Sequence, residues 1–245
     1  MSRALTFLFS ILCYAIFFAT FLYLIGFVGD LPVPKTVDAP PSLMPRGAKL
    51  VIDIALIALF GLQHSIMARP AFKRAWTRIV TPAAERSAYV LFASLALIIL
   101  FRFWQPLDRT IWQVSPTMPW LSTILWAMFW LGFGIVLITT FLINHFELFG
   151  LQQAWMNMRG SEPAAPELRQ PLFYRWVAHP LYAGFFIGFW STPLMTAGHL
   201  LLAIGFSAYM LIAIQYEERD LTNVFGDNYR NYRSGVGMLV PRFRR

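Results

Sequence analysis

Residues 179–221 read HPLYAGFFIGFWSTPLMTAGHLLLAIGFSAYMLIAIQYEERDL. The stretch from Pro180 to Gln215 carries no charged side chain. A membrane span takes roughly 20 apolar residues, so a run of this length is long enough to cross twice. Pro193 and Thr196-Ala197-Gly198-His199 near its middle predict a tight turn between two helices of about 17 residues each. Gly184 and Gly188 form a small-xxx-small face that lets helix backbones approach closely. Packing is the reading for Gly188; Gly184 is open to packing or to serving a ligand.

Working outward from this hairpin, further apolar runs occupy 4–29, 48–67, 86–104 and 121–143. The expected fold is all-α: a polytopic transmembrane helix bundle of about five or six spans, closed by a C-terminal helical hairpin and a cytoplasmic amphipathic tail. One integral membrane domain over 1–245 accommodates this, with helices in 1–143, a cytoplasmic connection at 144–178, and the hairpin and tail at 179–245. Ser161-Glu162-Pro163-Ala164-Ala165-Pro166 reads as a flexible link within the connection. The first apolar run lacks a small-residue cleavage site and is expected to be retained as a helix.

Composition agrees. Of 245 residues, 58% are hydrophobic and 13% charged, against about 25% charged in soluble domains. The net charge of +8 raises the question of nucleic acid. The cations cluster beside apolar segments, which fits anionic lipid and membrane topology instead. The lone Cys13 cannot form an internal disulfide and reads as packing, and no Cys/His cluster suggests a metal.

Loop charges orient the chain. Residues 68–86 carry Arg69, Lys73, Arg74, Arg78 and Arg86, and the tail carries Arg219, Arg230, Arg233, Arg242, Arg244 and Arg245. The positive-inside rule places both termini, loop 68–86 and segment 144–178 in the cytoplasm of a bacterial-type inner membrane. Trp104, Trp112 and Trp120 suit an aromatic belt on the opposite side.

Several polar groups gather near the cytoplasmic helix ends. His179-Pro180 starts a helix with proline in its first turn, where the missing N–H is no loss. The free N–H groups behind it, with the helix dipole, favour an anion such as a carboxylate; an ordinary Pro-started membrane helix is the plain alternative. Glu217 and Glu218 diverge by about 100° on a helix, so one is expected to face the bundle and the other water or Arg219. Phe225, Tyr229 and Tyr232 recur on one helical face, either set into lipid with Arg230 and Arg233 at headgroups or forming an aromatic lid. Gln63-His64-Ser65 closes the second helix, and a neutral imidazole there can take a proton near neutral pH. Asn144-His145-Phe146-Glu147 follows the fourth run. His145 and Gln152 share a face if that helix persists, and Asn144 and Glu147 share another. Asp53, four residues after Lys49, reads as a local ion pair.

His179-Pro180-x-Tyr182-x-Gly184, Glu217-Glu218-x-x-Leu221, Phe225-Gly226-x-x-Tyr229-x-x-Tyr232 and Pro241 resemble the C-terminal signature of the isoprenylcysteine carboxyl methyltransferase and phospholipid methyltransferase group. Across most of the chain, Gln63-His64-Ser65-Ile66-Met67-Ala68-Arg69, Glu85-Arg86-Ser87-Ala88-Tyr89-Val90, Asn144 to Gln152 and Thr192 to His199 are similar to the bacterial methanethiol S-methyltransferases, with overlap to NnrU-like membrane proteins. Ala178 departs from the group, which often has Arg before His-Pro; Arg175 stands one turn earlier.

The resemblance implies a membrane enzyme that uses S-adenosylmethionine as cofactor. Its matching positions are His179, Pro180, Leu181, Tyr182, Gly184, Glu217, Glu218, Tyr229 and Tyr232. The implied reaction methylates the small thiol methanethiol to dimethyl sulfide, with His64 or His145 as base or substrate orienter. Gln63, Asn144, Glu147 and Gln152 are candidates for the thiol pocket. The alternatives are carboxyl or amine methylation of a prenylcysteine or phospholipid, and a non-catalytic NnrU-like membrane factor. The expected partners are the thiol and the lipid bilayer, with no nucleic acid and no metal. A homo-oligomer is compatible with so small a bundle, but no feature demands one.

Overall fold

The structure is a computed structural model, described over residues 2–161 and 168–242. The link expected at 161–166 therefore falls, from residue 162 onward, outside the described residues. The protein is a polytopic helical membrane protein. Among the described residues, five helices are long and apolar enough to span a bilayer: α1 (Arg3–Val28), α2 (Arg46–Ala68), α4 (Pro82–Phe103), α5 (Pro119–Ile143) and α9 (Ala197–Phe225). Shorter helices are α3 (Pro70–Trp76), α6 (His145–Leu148), α7 (Leu151–Arg159), α8 (Pro180–Trp190) and α10 (Asp227–Gly235). Short extended pieces β1 (Thr110–Gln113) and β2 (Leu194–Thr196) lie in connections.

The hairpin differs from the two equal helices that the sequence suggests. The 11 residues of α8 reach only roughly 16 Å at the usual helical rise, short of the roughly 30 Å hydrocarbon core. Trp190 closes α8, and Ser191, Thr192 and Pro193 lead into β2 rather than a tight turn. The Thr196 hydroxyl oxygen then accepts the His199 N–H at 3.1 Å and starts α9. At 29 residues, α9 is longer than a bilayer needs, and its acidic end lies roughly 30 Å along it.

The chain divides into two compact units. Unit 1 comprises Met1–Ile111, His145–Ala164 and Thr196–Leu202. Within it α4 packs against α1 and α2, and α7 against α1. Buried hydroxyls join helices here: Ser87 Oγ donates to Ser10 Oγ at 2.8 Å between α4 and α1. Gly150 (φ +88°) separates α6 from α7, and a Cβ on it would stand 2.6 Å from the Ser87 backbone nitrogen. The helix therefore breaks between His145 and Gln152, and the shared face expected of them does not form. Trp104 is fully buried and donates to the Val37 carbonyl, so it is a core residue and not part of a belt. Asp53 does not pair with Lys49. Its carboxylate accepts the Gln105 N–H at 2.8 Å, while Lys49 Nζ donates to the Pro106 carbonyl. Both groups close the far ends of helices. Cys13 is fully buried, as packing requires.

Unit 2 comprises Trp112–Asn144, Ala165–Met195 and Ala203–Arg245. Its centre is the contact of α5 with α8. A Cβ on Gly132 would lie 2.6 Å from Gly188 N and 2.7 Å from Gly184 O, and one on Gly184 would lie 2.6 Å from Gly132 O. The two backbones touch, with Phe133 edge-on to the stacked pair Phe185 and Phe189 beside the contact. Packing thus accounts for Gly184 as well as Gly188.

Gly184→Ala should cost about 1–3 kcal/mol through overpacking against a backbone that cannot yield. Thermal unfolding in detergent checks this, with Gly134→Ala, whose Cβ meets nothing within 4 Å, as the unaffected control.

Candidate functional site

In unit 2 the polar groups converge on His179. This residue caps the start of α8 with non-helical backbone (φ −128°, ψ 64°), and Pro180 takes the first helical position. The N–H groups of Leu181 and Tyr182 thus fall in the first turn, where no preceding helical carbonyl exists to accept them. The imidazole is only 3% exposed. Its Nε2 lies 3.1 Å from Glu218 Oε1, and its Nδ1 lies 3.9 Å from Glu217 Oε2. Both carboxylates therefore reach one ring, because the two ring nitrogens point in different directions. Glu218 is the more enclosed, at 27% side-chain exposure against 45% for Glu217.

Arg233 of α10 completes the cluster. Its Nε donates to Glu218 Oε1, and its Nη1 donates to the Val236 carbonyl at 3.1 Å. Of the two readings of this segment in the sequence, arginines at lipid headgroups or an aromatic lid, the first does not hold for Arg233, which lies away from the aromatic stripe on a straight helix. The reason for the difference is Gly226 (φ +56°), which ends α9 and starts α10 in a new direction. The aromatics accordingly turn inward. Tyr232 OH donates to the Tyr174 carbonyl at 2.8 Å. Tyr229 is 3% exposed, and its hydroxyl has no hydrogen-bond partner. Burial, then the charges of Glu218 and Glu217, push the Tyr229 phenol well above its ordinary value, and burial pushes Tyr232 up to about 12. Both remain neutral donors at any physiological pH. The Tyr182 ring lies 5.8 Å from that of His179.

The segment before α8 is fixed by the chain's end. Ala178 N–H donates to Gly237 O at 2.8 Å, His179 N–H to Met238 O at 3.1 Å, and Gly237 N–H to Trp176 O at 3.1 Å. This parallel bridge holds His179 in register with the tail that carries Arg233. Arg233, Tyr174 and this tail clasp had no periodic signal in the sequence.

Unit 1 carries two Tyr–His pairs that the sequence did not reveal as pairs. His64 Nε2 lies 2.6 Å from Tyr89 OH, with the Arg86 guanidinium 5.1 Å from the Tyr89 ring centre. His145 Nε2 lies 2.8 Å from Tyr14 OH. Tyr89, Met67, Val90 and Phe149 form one buried apolar cluster, against which Tyr14 also packs. The tyrosine partners of His64 and His145 thus share one apolar cluster. Burial holds the His145 pKa below its ordinary value, so the ring is neutral near pH 7. Gln63 Nε2 donates to Met67 Sδ at 3.1 Å. Gln152 Nε2 lies 4.0 Å from Met156 Sδ. The Glu147 carbonyl accepts from Gln153. Asn144 belongs to unit 2, where its N–H donates to the Thr140 carbonyl. Among the described residues no group of three His, Cys, Asp or Glu side chains could hold a metal ion.

The chain is similar over nearly its whole length to characterised proteins. It is 49% identical over 241 residues to the methanethiol S-methyltransferase of Mycobacterium tuberculosis, covering 98% of each chain. It is 48% identical over 218 residues to that of Pseudomonas deceptionensis, covering 89% of this chain and 82% of the relative. Nurim of Xenopus laevis is 30% identical over 175 residues, 69% of this chain and 61% of the relative. No family profile matches the chain, and no solved structure does.

Because the folded His145 pKa lies below the ordinary 6.5, the unfolded chain takes up its proton first as pH falls. Stability from this residue is complete above about 6.5 and is lost below it. Melting temperatures measured from pH 7.5 to 5 should fall less steeply in His145→Gln than in the parent.

Proposed function

The chain belongs to the methanethiol S-methyltransferase family, and on that premise we propose that it methylates methanethiol to dimethyl sulfide with S-adenosylmethionine as donor. When bound, this donor supplies an electrophilic methyl group on a cationic sulfonium. The residues of unit 2 fit such a molecule. The observation that carries the reading is the buried, unpartnered Tyr229 hydroxyl in the field of Glu218 and Glu217. An unmet buried donor is costly, about 1–3 kcal/mol, and a polar ligand would satisfy it.

The parts divide by charge. The first-turn N–H groups of Leu181 and Tyr182 favour the donor's carboxylate. Glu217, half exposed and with a weaker hold on His179 than Glu218 has, is the carboxylate free to meet an ammonium or ribose hydroxyls. Glu218 is engaged by Arg233 and His179 and orients the others. Tyr182 and Tyr232 add rings on which a cation or purine can rest.

For the thiol, the nucleophile is the thiolate. A new S–C bond forms as the donor's C–S bond breaks, and the thiol proton leaves to a base. His64 or His145 serves as base or orienter, each ring held at Nε2 by a tyrosine hydroxyl, Tyr89 and Tyr14 respectively. Gln63, Glu147 and Gln152 of the same unit are the candidates to orient the thiol. An apolar volatile thiol partitions into lipid, which explains why the chemistry resides in a membrane protein. If α8, continued by Ser191 to Thr196, completes a sixth crossing, the basic loop 68–86 and the basic tail share one face, which supports a cytoplasmic site in a bacterial inner membrane.

Membranes containing the protein, supplied with methanethiol and S-adenosylmethionine, should release dimethyl sulfide into the headspace. Tyr229→Phe, which removes the unmet hydroxyl, should raise the melting temperature of the ligand-free protein and weaken donor binding by about three- to tenfold in calorimetry. No heat of donor binding in the folded parent would remove the proposal. His64→Ala should lower turnover at saturating thiol; unchanged turnover would take His64 out of the role of base.

A further inference from the structure

Apart from both polar clusters, unit 1 contains an open cleft of about 610 Å3 between α1, α4 and the segment joining α1 to α2. That volume is within the range of about 300–1,000 Å3 typical of ligand sites. Thr20 and Tyr23 of α1 and Ile98 and Phe101 of α4 form its body, and Lys35 and Arg102 stand at its rim.

The body offers no polar atom to a ligand. Thr20 Oγ1 donates back to the Ile16 carbonyl at 2.7 Å. Tyr23 OH donates to the Lys35 carbonyl and accepts the Lys35 N–H. Phe101 lies against the Tyr23 ring, 5.0 Å between centres.

The rim is cationic. Lys35 Nζ donates to the Arg102 carbonyl at 3.0 Å in the last turn of α4, and the Arg102 guanidinium lies 5.7 Å from the Phe103 ring centre. Among the described residues neither cation has a salt-bridged carboxylate. Burial, then the charge of Arg102, holds the Lys35 pKa below its ordinary value against the opposing charge of Asp53. Two adjacent cations above an apolar slot repel each other unless an anion lies between them.

We propose that this cleft is a specific site for an anionic phospholipid, with an acyl chain against Thr20, Ile98 and Phe101 and its phosphate held by Lys35 and Arg102. Both flanking helices span the membrane, so acyl chains are the medium that the cleft faces. By the loop charges the rim faces the non-cytoplasmic leaflet, where phospholipid phosphates also lie, and guanidinium pairs with phosphate through charge-assisted hydrogen bonds. A zwitterionic lipid carries its own cation, which the pair at the rim repels. A free phosphate would leave the apolar body unfilled.

Full-length protein, delipidated in detergent, would be titrated with phosphatidylglycerol and with phosphatidylcholine and read by native mass spectrometry. One phosphatidylglycerol should be retained about fivefold or more in preference. The double variant Lys35→Gln with Arg102→Gln should lose the preference, and Ala19→Trp, which fills the cleft while keeping both charges, should reduce retention of the bound lipid. Methyl transfer by detergent-solubilised variants confirms that they are folded. Equal retention of the two lipids, an unchanged preference in the double variant, or displacement of the lipid by millimolar inorganic phosphate would each overturn the proposal.

Discussion

One carboxylate, that of Glu218, joins three separate parts of unit 2. It receives His179 from the start of α8 and Arg233 from α10, and it is itself carried near the end of α9. A carboxylate near the end of an apolar helix is expensive unless it is paired and hydrogen-bonded. Here the pairing also decides geometry. Fixing His179 fixes where α8 begins, and fixing Arg233 fixes how α10 folds back. The orphan hydroxyl of Tyr229 and the freer carboxylate of Glu217 take their positions from that arrangement.

The glycine contact between α5 and α8 does the complementary work. In lipid there is no gain from hiding apolar surface from water, so helices associate through close packing. Gly132, Gly184 and Gly188 let two backbones touch, and that contact secures α8. A helix of 11 residues is too short to be held by the bilayer alone. It depends on this contact at its middle and on His179 at its start.

Much of this was legible in the sequence because it rests on periodicity and local chemistry. The five long spans follow from run length, and the packing of Gly188 from small-residue spacing. The convergence of His179, Glu217 and Glu218 was visible as polar residues at the ends of apolar runs. What escaped depends on chain direction. Gly226 turns α10, so Arg233 points at a carboxylate and Tyr229 inward, and a helical wheel drawn straight through 225–232 places them wrongly. Gly150 likewise separates His145 from Gln152. Tyr14 and Tyr89 partner histidines 131 and 25 residues away, a separation no local pattern encodes. Trp104 looked interfacial from its position in sequence, yet the Val37 carbonyl gives its indole N–H a buried partner.

The bridge between Trp176–His179 and Gly237–Met238 has a consequence for biosynthesis. All five long helices are complete in the nascent chain by Phe225, so insertion into the bilayer can be finished while the site is still unformed. Only when Met238 emerges from the ribosome can His179 be registered and Arg233 be held to it. A product terminated at residue 236 would keep all five long helices yet lack the Gly237 and Met238 carbonyls that receive the N–H groups of Ala178 and His179, leaving the start of α8 without its register.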